Sequence, residues 1–223
     1  MKAQRRFFTN NAPWRKHCTI AMKLPFPAKT ICTDRLSLRQ WRASDLPAFA
    51  DMNADPEVME FFPSVMAQID SDALALRFQA GIKERGWGIW AIELRRTGEF
   101  IGFTGLDIPQ AELPFAPCVE LAWRLARRHW NRGYATEAAM AAASLAFSSL
   151  ALSEIVAFTS LLNLRSQAVM KKLGMQNAGE HFRHPGVPVT SPLSMHCLYR
   201  LHLNDLHTLA GLVAPGCPTR ITR

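Results

Sequence analysis

The spacing of apolar residues in the first third of the chain predicts one strand and two helices. Residues 34–39 alternate polar with apolar positions, which is typical of a strand with one buried face. Ser44 and Asp45 then provide an N-cap, and apolar residues recur at helical spacing over 46–52. A second helix is predicted over 71–84.

The middle third of the chain predicts strands. Two apolar runs, 88–94 and 99–106, flank the turn residues 95–98 and together predict a β-hairpin. A further strand is predicted over 119–125, where apolar and more polar positions alternate and therefore lie on opposite faces. The two faces are Val119, Leu121, Trp123 and Leu125 on one side, and Glu120, Ala122 and Arg124 on the other.

The final third alternates helices with strands. The predicted elements are a helix over 135–150, a strand over 154–161, a short helix that Asn163 caps and Gly174 ends, and strands over 176–182 and 195–201. Because a helix connects strand 119–125 to strand 154–161, we expect these two strands to be parallel. The order of elements predicts the α+β class with a mixed sheet, in which ligands bind where strand ends meet helix N-termini.

Charge mapping divides the chain into three parts. The 223 residues carry a formal net charge of +8, yet residues 30–203 contain 17 basic and 17 acidic residues. Residues 1–29 contain seven Lys or Arg and no acid. We predict a basic, disordered extension at 1–29, one domain at 30–203 and a tail at 204–223; a start at Met22, a transit peptide or a basic arm would also explain the extension. Nucleic acid is not an expected partner, because it would need a basic face on the fold itself.

The composition predicts a cytoplasmic protein without a membrane span or a metal. No apolar run approaches the roughly 20 residues that span a bilayer, and the alanine-rich stretch 138–152 is predicted to be a packed helix. The five cysteines include no C-x-x-C pair, which favours reduced thiols. The spacing of His181, His184 and His196 does not predict a metal site.

The segment between strand 119–125 and helix 135–150 has the composition of an anion site. Backbone N–H groups and the dipole at a helix N-terminus favour an anion, and Gly133 can adopt a positive φ without a side chain in the way. Four nearby arginines add positive charge: Arg124, Arg127, Arg128 and Arg132. An ordinary turn with solvated arginines is the alternative, because the segment contains neither a P-loop nor a dinucleotide fingerprint.

Residues 130–138, Trp-Asn-Arg-Gly-Tyr-Ala-Thr-Glu-Ala, resemble the acetyl-coenzyme A motif of the GNAT superfamily of N-acetyltransferases. The form is that of the RimJ/RimL-like branch, which includes ribosomal-protein-alanine acetyltransferases and in which Trp at position 130 is usual. Further matches follow in the family's order at 34–39, 55–59, 101–103, 163–166, 170–175 and 198–201. The resemblance covers about residues 31–202.

This resemblance implies a central twisted mixed sheet that splays between its fourth and fifth strands, with helices on both faces. In this chain those strands would be 119–125 and 154–161. Acetyl-coenzyme A would lie in the splay as co-substrate, with its diphosphate on the backbone N–H groups of 132–136. The implied contacts are Leu121, Trp123, Arg127, Arg132, Gly133, Tyr134, Ala135, Thr136 and Asn163.

Acetyl transfer to an amine requires a base for the ammonium and a proton for the departing thiolate. By resemblance, Glu120 would take the amine's proton through water, although a strand glutamate paired with Arg124 is the alternative. Ser166 would protonate the thiolate, or it is an ordinary first-turn serine. Glu137 is predicted to be structural, and no cysteine is needed as a nucleophile.

The acceptor is expected to bind at loops 55–70 and 183–194, with Phe61, Phe62 and Trp87 as candidate walls. The branch indicates a protein or peptide N-terminus, whereas the scaffold also serves amino acids, polyamines and aminoglycosides. A non-catalytic acyl-coenzyme A sensor would retain the same fold. The oligomeric state stays open, and a homodimer is compatible with the sequence.

Overall fold

The chain forms eight strands and five α-helices over residues 30–206, which are the residues that this computed structural model describes. The strands are β1 (Ile31–Cys32), β2 (Leu36–Arg39), β3 (Ile89–Leu94), β4 (Phe100–Asp107), β5 (Glu120–Leu125), β6 (Glu154–Ser160), β7 (Gln176–Arg183) and β8 (Met195–His202). The helices are α1 (Leu46–Ala54), α2 (Gln68–Arg85), α3 (Tyr134–Ser148), α4 (Leu164–Lys172) and α5 (Leu203–Leu206). The predicted extension, with the candidate start at Met22, and all but the first residues of the predicted tail lie outside the described residues.

The strands form one mixed sheet in the order β1-β2-β3-β4-β5-β6-β8-β7. β5 and β6 are parallel, as predicted, and every other neighbouring pair within this sheet is antiparallel. The parallel pair meets at a single register position, Glu120 opposite Val156, where the Val156 N–H donates to the Val119 carbonyl at 2.9 Å. The two strands separate beyond this point, and the sheet is therefore open between them. Because β1 precedes the first predicted strand, the opening lies between the fifth and sixth strands.

Most element ends lie within one or two residues of the sequence prediction, and two larger differences have identifiable reasons. β1 consists of two residues that pair with Leu38 and Ser37, and so short a segment carries no hydrophobic period. α2 begins at Gln68, three residues before the predicted start at Ser71. Its N-cap is Ala67, which offers no capping side chain, so the sequence contains no start signal at that position.

Helices cover both faces of the sheet. On one face α1 and α2 pack through an aromatic group that comprises Trp41, Phe49, Phe78, Phe100 and Phe103, with ring centroids 4.8 to 6.2 Å apart. On the other face α3 lies across β4 and β5, and α4 lies on β6. A smaller apolar cluster of Leu113, Val156, Phe182 and Leu198 underlies the loop 108–118. Cys118 packs against this cluster, as expected for a structural thiol.

Buried alanines allow α3 to lie close to the sheet. Ala138, Ala139, Ala142, Ala143 and Ala146 are all fully buried, so the predicted packed helix is confirmed. Within residues 30–206, none of the helices combines the length and the apolar composition that crossing a bilayer requires. The close packing places the first turn of α3 directly beside the end of β5.

Candidate functional site

The turn that leads from β5 into α3 exposes an uncapped helix N-terminus. Asn131 and Gly133 both adopt positive φ, 58° and 77°, and Gly133 is the N-cap of α3. The first intrahelical bond runs from the Glu137 N–H to the Gly133 carbonyl at 3.0 Å, and no side chain caps the helix. The preceding N–H groups of the first turn are therefore available to an anion, together with the positive end of the helix dipole. This arrangement suits a diphosphate.

A distant loop fixes the shape of this turn. Arg35, between β1 and β2, donates from Nη1 to the Arg132 carbonyl at 2.9 Å and from Nε to a Glu137 carboxylate oxygen at 2.6 Å. Its guanidinium also lies over the Tyr134 ring, 4.6 Å from the centroid. On the other side, Trp130 Nε1 donates to the Leu125 carbonyl at 2.8 Å. The predicted structural role of Glu137 is confirmed, whereas no sequence pattern points to Arg35, which is about 100 residues away.

The turn carries less positive charge than four adjacent arginines would supply. Arg127 pairs with Glu57 at 2.6 Å, and Arg128 pairs with Glu99 at 2.9 Å. Arg124 lies on the face of β5 toward α1, where it contacts Asn53. Arg132 is exposed and is paired with no acid among the described residues. The prediction of a four-arginine cluster at the turn is therefore wrong, because two of the side chains are neutralised and a third points elsewhere.

The apolar face of β5 lies against α3. Leu121 is buried and Trp123 is half-buried, and both belong to the main core. Ala135 and Thr136, in the first turn of α3, are also half-buried. The structure thus brings most of the predicted cofactor contacts to one edge of the opening between β5 and β6.

The opposite edge of that opening carries the amide and hydroxyl of Asn163 and Ser166. Asn163 caps α4, since its Oδ1 accepts from the Ser166 N–H at 3.1 Å. Its Nδ2 donates to Ser166 Oγ at 3.1 Å and to Thr159 Oγ1 at 3.0 Å. The Ser166 hydroxyl therefore accepts from Asn163 and keeps its own proton to donate. The predicted cap is confirmed, and the two side chains form one unit.

Glu120 lies at the point where β5 and β6 separate, on the face toward α2. Its side chain makes no hydrogen bond or ion pair within residues 30–206, and Arg124 bonds to Asn53, so the predicted alternative of a Glu120–Arg124 pair is wrong. The pKa of the Glu120 carboxyl is raised to about 8, mainly by burial and also by the neighbouring Asp107, while Arg77 opposes the rise. Asp107 is opposite Glu120 in the β4–β5 register, and burial likewise raises its pKa.

The connection between α1 and α2 crosses the opening from the same side. Phe62, 40% exposed, lies under the Arg124 guanidinium at 4.2 Å, and Phe61 lies under that of Arg165 at 5.2 Å. Arg165, in the first turn of α4, also pairs with Glu60. These contacts place the predicted acceptor loop beside β5 and α4. Trp87 is fully buried in the core, so its prediction as a cleft wall is wrong.

Two histidines near the β7–β8 loop, His184 and His196, pack against each other and against Phe182. The His184 and His196 rings are 4.9 Å apart, and His196 lies 5.7 Å from the Phe182 ring. Burial lowers the pKa of His196 to about 4, with a smaller contribution from His184, whereas His181 is exposed. No group of three or more His, Cys, Asp or Glu side chains in the described part of the chain could hold a metal ion.

Comparisons with known proteins agree on one family. A family model described as an acetyltransferase (GNAT) domain matches residues 35–176. The uncharacterized N-acetyltransferase YoaA of Bacillus subtilis (strain 168) is 31% identical over 149 residues, which cover 66% of this chain and 82% of that protein. The crystal structure of an acetyltransferase from Agrobacterium tumefaciens (strain C58) is 32% identical, with a TM-score of 0.63 over 81% of this chain and 98% of that one.

A third similarity concerns the fold alone. The structure of RimL, a ribosomal L7/L12 α-N-protein acetyltransferase in complex with coenzyme A, has a TM-score of 0.60 with 15% sequence identity. The match covers 79% of this chain and 99% of that chain.

Proposed function

Because the chain belongs to the GNAT family of acetyltransferases and is an N-acetyltransferase, we propose that it transfers the acetyl group of acetyl-coenzyme A directly to a primary amine in a ternary complex. The observation that carries this proposal is the carboxyl of Glu120, which has a pKa of about 8 and lies where β5 and β6 separate. A carboxyl with a pKa near the working pH is suited to general base catalysis.

The donor is held on the α3 side of the opening. The N–H groups of Tyr134, Ala135 and Thr136 hold its diphosphate, and Gly133 sets the path of the turn. Arg132 adds charge, with a smaller contribution from Arg127. The coenzyme A present in the RimL structure, which shares the fold, supports coenzyme A as the ligand of this site. Bound there, acetyl-coenzyme A supplies an activated thioester.

The remaining donor contacts are to the two strands and α4. Leu121 and Trp123 form the β5 wall beside the pantetheine arm, and Asn163 hydrogen-bonds it from the other side. Asn163 can do this and remain the cap of α4, because its amide also offers a second lone pair at Oδ1. The thioester is thereby directed to the point where the strands separate.

Glu120 and Ser166 handle the two protons of the reaction. The amine nitrogen forms a bond to the acetyl carbon, and its surplus proton passes to the Glu120 carboxylate, directly or through one water. The bond from that carbon to sulfur breaks, and the Ser166 hydroxyl protonates the departing thiolate while Asn163 Nδ2 stabilises the resulting oxygen. Ser166 then regains its proton from solvent.

The acceptor is proposed to be the α-amine of a protein or peptide, since RimL, which shares the fold, is an α-N-protein acetyltransferase. The α1–α2 connection is exposed at Phe62, so the acceptor face is open to a chain. A small amine would use the same base and the same donor site.

The test is release of coenzyme A thiol with a panel of peptides, amino acids, polyamines and aminoglycosides, followed by mass analysis of the acceptor. Turnover with at least one amine is expected, with the acetyl group on nitrogen. Saturable binding of coenzyme A without turnover on any acceptor would instead favour a sensor. Labelling of an enzyme side chain during turnover would contradict direct transfer.

A further inference from the structure

Arg124 is a half-buried cation that pairs with no carboxylate within residues 30–206. Its Nη1 donates to Asn53 Oδ1 at 2.6 Å, and Asn53 in turn donates from Nδ2 to Ser71 Oγ at 2.9 Å. The Nε atom of Arg124 is enclosed and has no hydrogen-bond partner in the described part of the chain. No carboxylate within residues 30–206 pairs with this guanidinium, and burial lowers its pKa to about 10.

Arg39 is a fully buried arginine of the same fold, and acidic side chains pair with its charge. Arg39 is 5% exposed, and Asp45 accepts from both of its terminal nitrogens at 2.8 Å. Glu93 accepts from its Nε at 2.6 Å. The guanidinium of Arg39 is thus fully compensated, as a buried charge requires. Arg124 has no such carboxylate partner within residues 30–206. An anionic group of a bound ligand would compensate its charge.

The location of Arg124 points to the acceptor. It lies on the same face of β5 as Glu120, and its guanidinium is stacked on Phe62 of the α1–α2 connection and on Phe103 of β4. Of its two unused donors, Nε is enclosed, whereas Nη2 is not among the enclosed atoms that lack a partner within residues 30–206. Nη2 can therefore donate to a carboxylate that comes from outside the chain.

We infer that Arg124 binds a carboxylate of the acceptor, and that the substrates are amines whose carboxylate is several bonds away from the amino group. This inference rests on the proposed function, with the amine at Glu120. Four strand positions separate Glu120 from Arg124, or about 13 Å between their Cα atoms. An α-amino acid is too short to reach both side chains, whereas an ω-amino acid or an acidic side chain near a peptide N-terminus is long enough.

Two pairs of acceptors test this directly. One pair is an amidated tetrapeptide with Glu or Gln at its second position, and the other is 6-aminohexanoate against 6-aminohexanamide. Binding is measured by calorimetry on the protein saturated with coenzyme A, and kcat/KM is measured by thiol release. At least one carboxylate is expected to exceed its amide by about tenfold, the discrimination that one charged hydrogen-bonded contact provides. The pair that discriminates identifies a peptide or a small molecule as the source.

Two variants test the role of the guanidinium itself. Asn53→Asp places a carboxylate against Arg124 Nη1, and the Ser71 hydroxyl, which now accepts from Asn53, can donate to that carboxylate instead. The fold should therefore be retained while the preference for the carboxylate is lost. Arg124→Gln should lose the same preference. Arg96→Gln is the control, since Arg96 is an exposed hairpin residue and its replacement should leave the preference unchanged.

Equal binding of both members of each pair to the unmodified protein would overturn the inference. A preference for the carboxylate that persists in Asn53→Asp would also overturn it. That result is informative even if Arg124→Gln fails to fold. The proposed function fails differently: no acceptor would release thiol, yet calorimetry would still show whether the carboxylate is preferred. The two failures are therefore distinguishable.

Discussion

The two sides of the β5–β6 opening are built from different chemical groups. On the α3 side, the anion site consists of backbone N–H groups held in place by Gly133 and Asn131, and two of the nearby arginines are already paired. On the α2 side lie two ionisable side chains that are partly buried and have no ion-pair partner within residues 30–206: Glu120 and Arg124. Anion binding on the α3 side depends on the backbone conformation, whereas the α2 side depends on side chains that are partly removed from water.

This difference determines how each side responds to change. A backbone site uses groups that every residue possesses, so it is disturbed only by residues that alter φ or fill space. Charges in a low-dielectric setting interact far more strongly than exposed ones, so the loss of one such group has a large effect. Mutations should therefore have their largest effects on the α2 side, through chemistry, and smaller ones on the α3 side, through affinity.

The largest effect is expected from Glu120→Gln. Loss of the general base should lower kcat/KM by about 10²- to 10³-fold with little change in coenzyme A affinity. Because Glu120 must be ionised to accept a proton, the rate of the unmodified enzyme should rise with pH through about 8, and the variant should lack that limb. A pH–rate profile with one acceptor measures both. If activity stays within a few-fold of normal, Glu120 is not the base.

Gly133→Val should act on the donor side. A β-branched residue disfavours φ of 77°, and its Cβ would lie 3.3 Å from Arg35 Nη2, so coenzyme A affinity should fall by about tenfold or more. Gly98→Val is the matched control, since Gly98 has φ of 72° with nothing within 4 Å of an added Cβ. Calorimetric titration with coenzyme A measures both variants. Equal affinity in the two would remove the turn from the donor site.

Ser166→Ala should lower kcat by about tenfold and leave coenzyme A affinity nearly unchanged, because the hydroxyl is needed only when the thiolate departs. The effect should shrink with acetyl donors whose thiol is more acidic. Ser148→Ala, at the exposed end of α3, is the control. Full activity of Ser166→Ala with every donor would exclude the serine from the proton path.

The smallest expected effects are on coenzyme A affinity, and they distinguish two arginines of the turn, Arg132 and Arg127. Arg132→Gln is expected to weaken coenzyme A binding a few-fold at low salt and less at high salt, because an exposed charge is screened. Arg127→Gln should have a smaller effect, since its charge is already compensated by Glu57. Titrations at two ionic strengths compare them. A larger loss for Arg127→Gln would show that the Glu57 pair opens when the donor binds.

Local patterns were sufficient to predict most of the fold and the turn between β5 and α3 on which the proposed donor site is placed. The alternation over β5, the helical spacing of α1, the Asn163 cap and the turn glycine are all properties of neighbouring residues. They were not sufficient for Arg35 or Arg124, whose contacts to Glu137 and Asn53 span 102 and 71 positions. A local pattern does not show which distant groups pair with a charged side chain. It therefore could not distinguish the four arginines near the turn.

The raised pKa of Glu120 also links folding to pH. An ordinary glutamate has a pKa of 4.5, whereas the folded protein holds this one near 8. Between these values the folded state keeps a proton that the unfolded state releases, so the free energy of unfolding decreases as pH rises from about 4.5 to about 8. This carboxyl favours folding most below pH 4.5 and least at the pH where it is ionised. The enzyme is thus least stabilised by Glu120 under the conditions in which Glu120 is best able to accept a proton.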